Sequence, residues 1–520
     1  MKNIQNADPE KEQLHNEIGI LQQQVSELSA KLKWYEEQNR LNQAKLFGKA
    51  SEQTPPEQLN FFNEVEIEAK AEQPEPTMEE ITYRRKKREG QKEELLKDLP
   101  VEIIEYRLSE EEQVCSCCGG ALHEMSTEVR TEVKIIPAQA IAVKHVRYVY
   151  GCRDCEKNNI ETPIITTKMP SPVIPKSLAS ASAVSYVIEQ KFMQGVPLYR
   201  QEQQFERLGL ALSRQTMSNW LLSVSNRLLR PLYERMREHL LEQDILHADE
   251  TTLQVLKEDG RAATSTSYMW MYRTGREGPA IVLYDYQTTR AGKHAEQFLK
   301  DFSGWLHADG YAGYHVVKKA TLVGCWAHAR RNFAEALSVL PVETRNQPSV
   351  ALEGMNFCNQ LFAIEREFAD ATPADRFEGR LQKSKPVLDS MAAWLKQIKP
   401  KILPKSLLGK AVQYCFNQWD YLTNFLEDGR LEIDNNRSER AIKPFVIGRK
   451  NWMFCASSRG ATASATIYSI VETAKENDLN VTSYLNWLLD KLANVDLKDP
   501  EALDQLMPWA GVVPECLRLN

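Results

Sequence analysis

Five apolar, strand-like segments and one helical segment constrain the fold of this chain more than any other feature of its sequence. The strand-like segments lie at 245–256, 268–273, 280–286, 304–309 and 321–326, and the helical segment lies at 291–302. Three consecutive antiparallel strands, then a helix, then two more strands predict an α/β core of the ribonuclease-H-like kind.

Two carboxylates occur within these predicted strands. Asp249 lies in the first segment among Leu246, Leu253 and Val255, and Asp309 ends the fourth segment. A carboxylate in a buried strand is costly unless a cation or hydrogen bonds compensate for its lost hydration. Two of them at one edge of a sheet predict a site for a divalent cation, magnesium or manganese. Taken singly, each could instead cap a strand end or pair with a lysine.

A third acidic residue follows a long interruption of the α/β pattern. Residues 337–430 are helical in character, which predicts an inserted helical subdomain. The core then resumes with a helix that Asp434 is predicted to cap. Asn436, Glu439 and Lys443 share one face of that helix. Basic residues outnumber acidic ones there, so Glu439 is either ion-paired on a surface helix or a metal ligand flanked by phosphate-binding cations.

Residues 10–42 carry a heptad pattern. Apolar residues alternate in steps of four and three, with β-branched Ile18 and Val25 at a positions and leucines at d positions. This pattern predicts a parallel coiled coil, and hence at least a dimer, in preference to a lone amphipathic helix packed on its own protein. An acidic, proline-broken linker follows and ends in the basic run 84–88, which either contacts DNA phosphates or balances the acidic stretch.

Four of the ten cysteines form two closely spaced pairs. They are Cys115, Cys118, Cys152 and Cys155. Each pair lets two thiolates reach one tetrahedral ion from a tight turn, which predicts a zinc ribbon whose strands lie at 128–150. Cys117 adds a third thiol to the first pair and leaves the ligand set open. Cys325 and His328 form a half-site with no second pair nearby, so a structural cysteine and a hydrogen-bonded histidine are the preferred interpretation.

Residues 177–228 predict three helices. The second helix is closed by Gly209, the third is opened by Ser213, and the short turn between them matches a helix-turn-helix. Polar residues near the start of the third helix would then face base edges in DNA. They are Arg214, Gln215, Ser218 and Asn219. Plain helix packing is an equally common source of this pattern, and the basic and amide residues favour DNA.

Charge and hydropathy exclude several classes of protein. The formal net charge is −6, so any contact with nucleic acid has to come from local basic patches. No apolar run approaches the roughly 18 residues of a membrane span, and the first residues are polar, unlike a signal peptide. Paired cysteines here indicate a metal site in a reducing compartment and not a disulfide framework. We therefore do not expect a secreted or integral-membrane protein.

Long, ordered blocks of the sequence resemble the transposases of the insertion sequence 66 family, over nearly the whole chain. The blocks are HADET (247–251), HADGYAGY (307–314), CWAHARRNF (325–333), DNNRSERAIKPFVIGRKNWMF (434–454) and SSRGATASATIYSIVETAK (457–475). The cysteine-rich turn CSCCGG and the leading coiled coil also fit that family.

The resemblance implies a catalytic triad of Asp249, Asp309 and Glu439 that holds two magnesium or manganese ions on a ribonuclease-H-like fold. Glu250 is expected to point to the opposite face of its strand and to be a less suitable ligand. The implied reaction is cleavage at transposon ends, followed by attack of the exposed 3′-hydroxyl on target DNA. The resemblance also implies a prokaryotic, cytoplasmic, nucleoid-associated protein with a structural zinc. The implied zinc ligands are Cys115, Cys118, Cys152 and Cys155.

Expected partners are DNA, a second copy of the chain and accessory proteins of the same element. Basic residues expected to hold DNA near the carboxylates are Arg330, Arg331, Arg437, Arg440, Lys443, Arg449 and Lys450. The alternatives are a DNA-binding regulator without catalysis, which the presence of all three carboxylates disfavours, and a nuclease that cuts without joining.

The expected domain order places several small units ahead of the catalytic core. It is coiled coil (1–48), charged linker (49–100), zinc-binding domain (101–165), helix-turn-helix-like region (166–236), catalytic core (237–336 and 431–480) around the helical insertion (337–430), and C-terminal helical tail (481–520).

Overall fold

The computed structural model describes residues 138–151 and 164–519, apart from 342, 343 and 346, together with residue 32. Apart from that one residue, the predicted coiled coil lies outside the described residues, as do the acidic linker, the basic run and both cysteine pairs. Among the described residues, no helix combines the length and the apolar character needed to cross a bilayer.

Strands and helices alternate along the described chain. The strands are β1 (Val149–Gly151), β2 (Ile164–Thr166), β3 (Ile245–Lys257), β4 (Thr266–Thr274), β5 (Val282–Gln287), β6 (Gly304–His307), β7 (Ala320–Val323) and β8 (Cys455–Ser457). The α-helices are α1 (Ala181–Phe192), α2 (Leu198–Arg207), α3 (Arg214–Val224), α4 (Arg230–Leu241), α5 (Lys293–Phe298), α6 (Trp326–Ser338), α7 (Val350–Glu367), α8 (Pro373–Ile398), α9 (Leu407–Thr423), α10 (Asn436–Trp452), α11 (Ser458–Glu476), α12 (Val481–Leu492) and α13 (Pro500–Asp504).

A mixed sheet organises the α/β part of the chain. Its strands are hydrogen-bonded in the order β5-β4-β3-β6-β7, and β8 pairs with the end of β3. The first three strands, β3 to β5, are antiparallel neighbours, whereas β6 and β7 run parallel to β3. The predicted succession of three antiparallel strands, a helix and two further strands is therefore confirmed.

The fourth strand of this series is shorter than its sequence suggests. β6 ends at His307, so the prediction that Asp309 ends a strand was wrong by two residues. The chain leaves the sheet here because Gly310 adopts a left-handed backbone conformation with φ of 95°. Asp309 thus lies in the turn that follows the strand.

The outer edge of β5 is covered by α11. Ser469 of this helix accepts a hydrogen bond from Tyr284 N at 2.8 Å, and Thr473 accepts one from Val282 N at 3.0 Å. Thr473 also donates to the carbonyl of Val282. An exposed strand edge would present unpaired backbone groups, and helix hydroxyls satisfy them here. This is why an otherwise apolar helix carries buried Ser and Thr at these positions.

Helices on either side of the α/β segment in sequence share its hydrophobic core. α12 packs against α1, with Leu485 and Leu488 fully buried, and both helices belong to the same core as the sheet. In α3, Met217 and Trp220 turn inward to that core. The regions predicted at 166–236 and 481–520 therefore bury their apolar faces together with the sheet.

The helical insertion forms a second hydrophobic core with α6. Apolar residues of α6, α7, α8 and α9 make up this cluster, including Trp326, Phe333, Leu361 and Leu395. Arg380 is 1% exposed at its edge and donates to both oxygens of Glu365, at 2.8 and 2.7 Å. A buried ion pair with matched hydrogen bonds fixes the angle between the two helices that carry it.

The strand content predicted for 128–150 is only partly present in the described residues. Residues 138–148 are described and do not lie in a strand, whereas β1 pairs with β2 in an antiparallel register. The alternating apolar side chains before β1 are exposed, with Ile141 at 79% and Val143 at 71%. Alternation alone produces a strand only where another strand or a core covers one face.

Candidate active site

The two predicted aspartates lie just beyond the point where the neighbouring parallel strands β3 and β6 stop pairing. His247 of β3 pairs in register with His307 of β6, and each histidine is followed two residues later by an aspartate, Asp249 or Asp309. Asp249 Oδ1 accepts from Glu250 N at 2.8 Å, and Asp309 Oδ1 accepts from Tyr311 N at 2.9 Å. One side chain oxygen of each aspartate is thereby fixed locally.

An opening in the sheet lies beside Asp249. On this side β3 pairs with β6 as far as His247, and it next pairs with β8 at Val255. Between these points no described strand covers that edge of β3. The helix α10 packs against β3, and Glu439 lies in its first turn. The helix that carries the third predicted carboxylate therefore packs on the strand of Asp249, although the two are distant in sequence.

The surroundings of Asp249 disfavour its negative charge. Burial raises its pKa to about 8, and the charges of Glu250, Asp309 and Glu439 add to the increase. Within the described residues, Asp249 has no ion-pair partner. Such a position favours either a proton or a cation, and carboxylate oxygens are the ligands that magnesium and manganese prefer.

Glu439 is turned toward two basic residues. Arg331 Nη2 lies 3.2 Å from each carboxylate oxygen, and His328 Nε2 lies 3.8 Å from Oε1. Among the described residues, no three Cys, His, Asp or Glu side chains form a complete metal-ligand group. Both carboxylate oxygens of Glu439 are therefore engaged by Arg331, and the charge of Glu439 still acts on Asp249.

The pKa of Asp249 makes a testable prediction about the metal-free protein. Its pKa rises from 3.8 to about 8 on folding, so the folded state binds this proton more tightly than the unfolded chain. Stability is therefore expected to decrease as the pH rises toward 8, by at most about 1.4 kcal/mol per pH unit. In urea unfolding with chelator present, Asp249→Asn should remove this dependence of the free energy of unfolding on pH.

The comparison is best made above pH 6, because burial also raises the pKa of Asp285, to about 6. Between about pH 6.5 and pH 8, only the Asp249 contribution should separate the wild type from the asparagine variant. Stability curves of the two proteins that stay parallel over this interval would contradict the proposed protonation of Asp249.

Glu250 has its own partners. Its side chain is 1% exposed, and it accepts hydrogen bonds from Arg290 Nε at 2.8 Å and from Tyr314 Oη at 2.6 Å. Arg290 in turn stacks on the ring of Tyr311, which follows Asp309 in the turn. These contacts give Glu250 a structural role next to the aspartates.

Asn435 joins the elements that carry the carboxylates, and the sequence reasoning missed it. Asp434 was predicted to cap α10, but Asn435 occupies the N-cap position, while Asp434 accepts from Asn436 N at 3.0 Å. The Asn435 side chain is not used as a cap. It donates to Ala248 O at 2.9 Å, and its Oδ1 lies 2.9 Å from His247 Nδ1. A single buried side chain therefore connects the strand of Asp249 to the helix of Glu439.

The repeated sequence His-Ala-Asp could have indicated this arrangement. The rings of His247 and His307 stack with centroids 4.2 Å apart and planes inclined by 6°. Burial lowers the pKa of His247 to about 4 and that of His307 well below its usual value, so both rings are neutral. Neither ring nitrogen of His307 has a hydrogen-bond partner among the described residues. Two neutral, stacked rings thus lie on adjacent strands two residues before the aspartates.

The helical insertion contacts the turn that carries Asp309. Tyr414 of α9 donates to Asp309 O at 2.9 Å, and Gln418 donates to Gly310 O at 3.4 Å. A Cβ at Gly310 would lie 3.0 Å from the Gln418 side chain, so only glycine fits both the backbone conformation and this contact. The position of Asp309 therefore depends on the insertion as well as on the sheet.

Cys325 was predicted as a structural cysteine in the strand segment 321–326, but it lies beyond that strand, because β7 ends at Val323. Cys325 is buried at the N-cap of α6, and its sulfur accepts from Asn435 N at 3.2 Å. Burial raises the pKa of this thiol to about 12, which keeps it protonated. His328 lies beside Glu439, and burial followed by the charge of Arg331 lowers its pKa.

The basic residues predicted to contact DNA divide into two groups. Arg437 binds Glu432 at 3.1 Å, and Arg449 donates to Thr251 and Thr252 of β3, so both are engaged within the protein. The other predicted residues are exposed at their positions. They are Arg214, Gln215, Asn219, Arg330, Arg331, Arg440, Lys443 and Lys450.

In the predicted helix-turn-helix, the N-cap by Ser213 is confirmed, because its hydroxyl accepts from Thr216 N at 3.1 Å. Gln215 Nε2 donates to Asn219 Oδ1 at 3.2 Å on the outer face of α3. Arg214 lies over the ring of Tyr199, with the guanidinium 5.8 Å from the ring centroid. This exposed face is separate from the carboxylates in sequence and is available to a ligand.

Family comparisons match most of the chain. The model described as "Transposase IS66 family" matches residues 176–463, and the "IS66 C-terminal element" matches 469–509. The "zinc-finger binding domain of transposase IS66" matches 112–156, which contains both cysteine pairs. The model described as "Transposase C of IS166 homeodomain" matches 34–104.

Three similar curated proteins come from Sinorhizobium fredii (strain NBRC 101917 / NGR234), and each is described only as uncharacterized. The protein y4jD is 30% identical, with the alignment covering 79% of this chain and 81% of that protein. For y4hP the identity is 29%, with 76% and 73% covered, and for y4qI it is 30%, with 77% and 74% covered.

Proposed function

Because the chain belongs to the IS66 family of transposases, we propose that it cleaves DNA at transposon ends and joins those ends to target DNA. The observations that support the proposal are geometric: Asp249 and Asp309 lie just beyond the point where β3 and β6 pair. The helix that carries Glu439 packs against β3. The strand order β5-β4-β3-β6-β7 supports a ribonuclease-H-like core for this reaction.

We assign the binding of divalent cations to the same three carboxylates. Bound magnesium or manganese would activate water and stabilise the leaving 3′ oxygen. The desolvated position of Asp249 fits this assignment, since a cation replaces the proton that its raised pKa otherwise retains. Arg331 is exposed and contacts both oxygens of Glu439, and we assign it to the phosphate that reacts at the carboxylates.

Exposed basic residues on the helix of Glu439 supply positive charge for binding the DNA backbone. Arg440 and Lys443 lie on α10 near Glu439 and are exposed. A polyanionic substrate needs cations along its backbone and carboxylates only at the reacting phosphate. Helix α10 carries both kinds of group close together, with Glu439 as the carboxylate and Arg440 and Lys443 as the cations.

The test uses the purified full chain, magnesium and duplex DNA that carries the ends of its own element. We expect strand cleavage that exposes a 3′-hydroxyl, and covalent joining of the cleaved end to a target plasmid. Chelation of magnesium should abolish both. Cleavage without joining would favour the nuclease alternative, and specific binding without cleavage would favour a regulator.

For the zinc-binding domain, we expect one bound zinc per chain with four thiolate ligands. Chelation of that zinc should unfold the region around 115–155 and weaken binding to transposon ends, because a structural zinc contributes folding free energy directly. The proposed ligands are Cys115, Cys118, Cys152 and Cys155.

The zinc content of serine variants measures this prediction. Cys117→Ser is the matched control and should retain the metal, while replacement of the four proposed ligands should remove it. Full zinc content in that fourfold variant would show that the cysteine pairs do not bind the ion.

A further inference from the structure

A cavity of about 570 Å³ lies between α6, α7 and the first turn of α10. Its wall includes three arginines, two asparagines and one aromatic ring. They are Arg330, Arg331, Arg366, Asn359, Asn436 and Phe362. We call it the arginine pocket. Half of its lining belongs to α6, and the rest belongs to α7 of the helical insertion and to Asn436 at the start of α10.

The arginine pocket is strongly cationic. No acidic residue lines it, although Arg331 reaches the carboxylate of Glu439 at its border. Arg330 Nε donates to Asn359 Oδ1 at 2.8 Å, which fixes the direction of that guanidinium. Arg366 is exposed and makes no ion pair with any described residue. Three positive charges around a concave surface favour a phosphate-bearing ligand.

Phe362 adds an apolar face to this charged surface. Its ring is partly buried against the core of the insertion and also lines the pocket. Aromatic faces beside arginines are the usual way in which proteins bind unpaired bases, because every base can stack on a ring. A volume within the range of about 300–1,000 Å³ that small ligands occupy suits a single nucleotide.

We propose that the arginine pocket binds one unpaired nucleotide of the DNA strand next to the reacting phosphate, with Arg330 and Arg366 on its phosphate and Phe362 on its base. This inference rests on the proposed function, because the reacting phosphate is placed at the carboxylates. Arg331 lines the pocket and contacts Glu439, so the pocket borders the helix that carries this carboxylate. The insertion then takes part in substrate binding through α7.

The experiment measures binding of the full chain to fluorescent DNA without magnesium, so that cleavage plays no part. The probes are a single strand of about 20 nucleotides, longer than common single-strand sites, and a duplex of equal length. Arg366→Ala should weaken single-strand binding several-fold and lower its salt slope by about 0.7, with little change for the duplex. Phe362→Leu, which keeps an apolar side chain in the core, should weaken it by about tenfold.

Lys396→Ala is the matched control, since this lysine is exposed on α8 and does not line the arginine pocket. It should change neither affinity. Unchanged single-strand binding in both Arg366→Ala and Phe362→Leu would overturn the inference, as would an equal loss for single strand and duplex. Either result leaves magnesium-dependent cleavage by the wild type as a separate test of the proposed function.

Discussion

Asp249→Asn, Asp309→Asn and Glu439→Gln are each expected to lower DNA cleavage on the order of a thousandfold. Each change removes one anionic ligand from the proposed cation site, and a cation contributes several kcal/mol to the transition state of phosphoryl transfer. The volumes of the side chains hardly change, so binding to transposon ends should persist. Cleavage and end binding are measured on the same preparations, at saturating magnesium.

A loss of folding cannot explain the expected result for Asp249→Asn. The buried carboxylate carries a desolvation penalty, so the amide should leave the metal-free protein at least as stable near pH 8. Glu335→Gln on α6 is the matched control, because Glu335 is exposed and makes no ion pair among the described residues. A variant of the triad that cleaves at the wild-type rate would remove that residue from the catalytic site.

Asn435→Ala is expected to lower cleavage by about a hundredfold and the free energy of unfolding by about 2–4 kcal/mol. The change leaves the carbonyl of Ala248 without its donor and takes a partner from both His247 and Ser438, in a position only 1% exposed. It also frees the first turn of α10, which sets the position of Glu439. Urea unfolding and cleavage rates at a temperature where both proteins are folded separate the two effects.

Two further variants test whether the expected loss of cleavage is specific to Asn435. Asn480→Ala removes a conventional N-cap of α12, far along the chain from the carboxylates, and should cost about 1 kcal/mol with unchanged cleavage. Ser438→Ala removes one hydrogen bond to Asn435 and should give a small loss of both properties. Equal rates for Asn435→Ala and Asn480→Ala at matched stability would mean that Asn435 does not position Glu439.

Local sequence patterns predicted the order of strands and the position of Asp249. The segment 245–256 alternates and is rich in apolar residues, and it forms β3 almost as predicted. The prediction for Asp309 failed by two residues because the end of β6 is set by the backbone of Gly310 and by its contact with α9. Contacts between residues so distant in sequence leave no periodic pattern.

The same reason explains why Asn435 was missed while Asp434 was preferred. Both residues are good helix caps by type, and their sequence positions differ by one. The choice depends on Asn435 reaching β3 and Cys325, which only the folded chain brings together. The helix pattern singled out Glu439 and left two interpretations open, an ion pair or a metal ligand. The structure shows an ion pair with Arg331, a partner on another helix that spacing could not identify.

The two hydrogen bonds from Tyr414 and Gln418 to the Asp309 turn have a consequence for protein engineering. Through them, the insertion helps to position one of the proposed cation ligands, so this subdomain cannot be exchanged without regard to its side chains. A chimera that grafts the helices of a relative into this chain has to carry these two side chains. Without them it will lose DNA cleavage while keeping its fold.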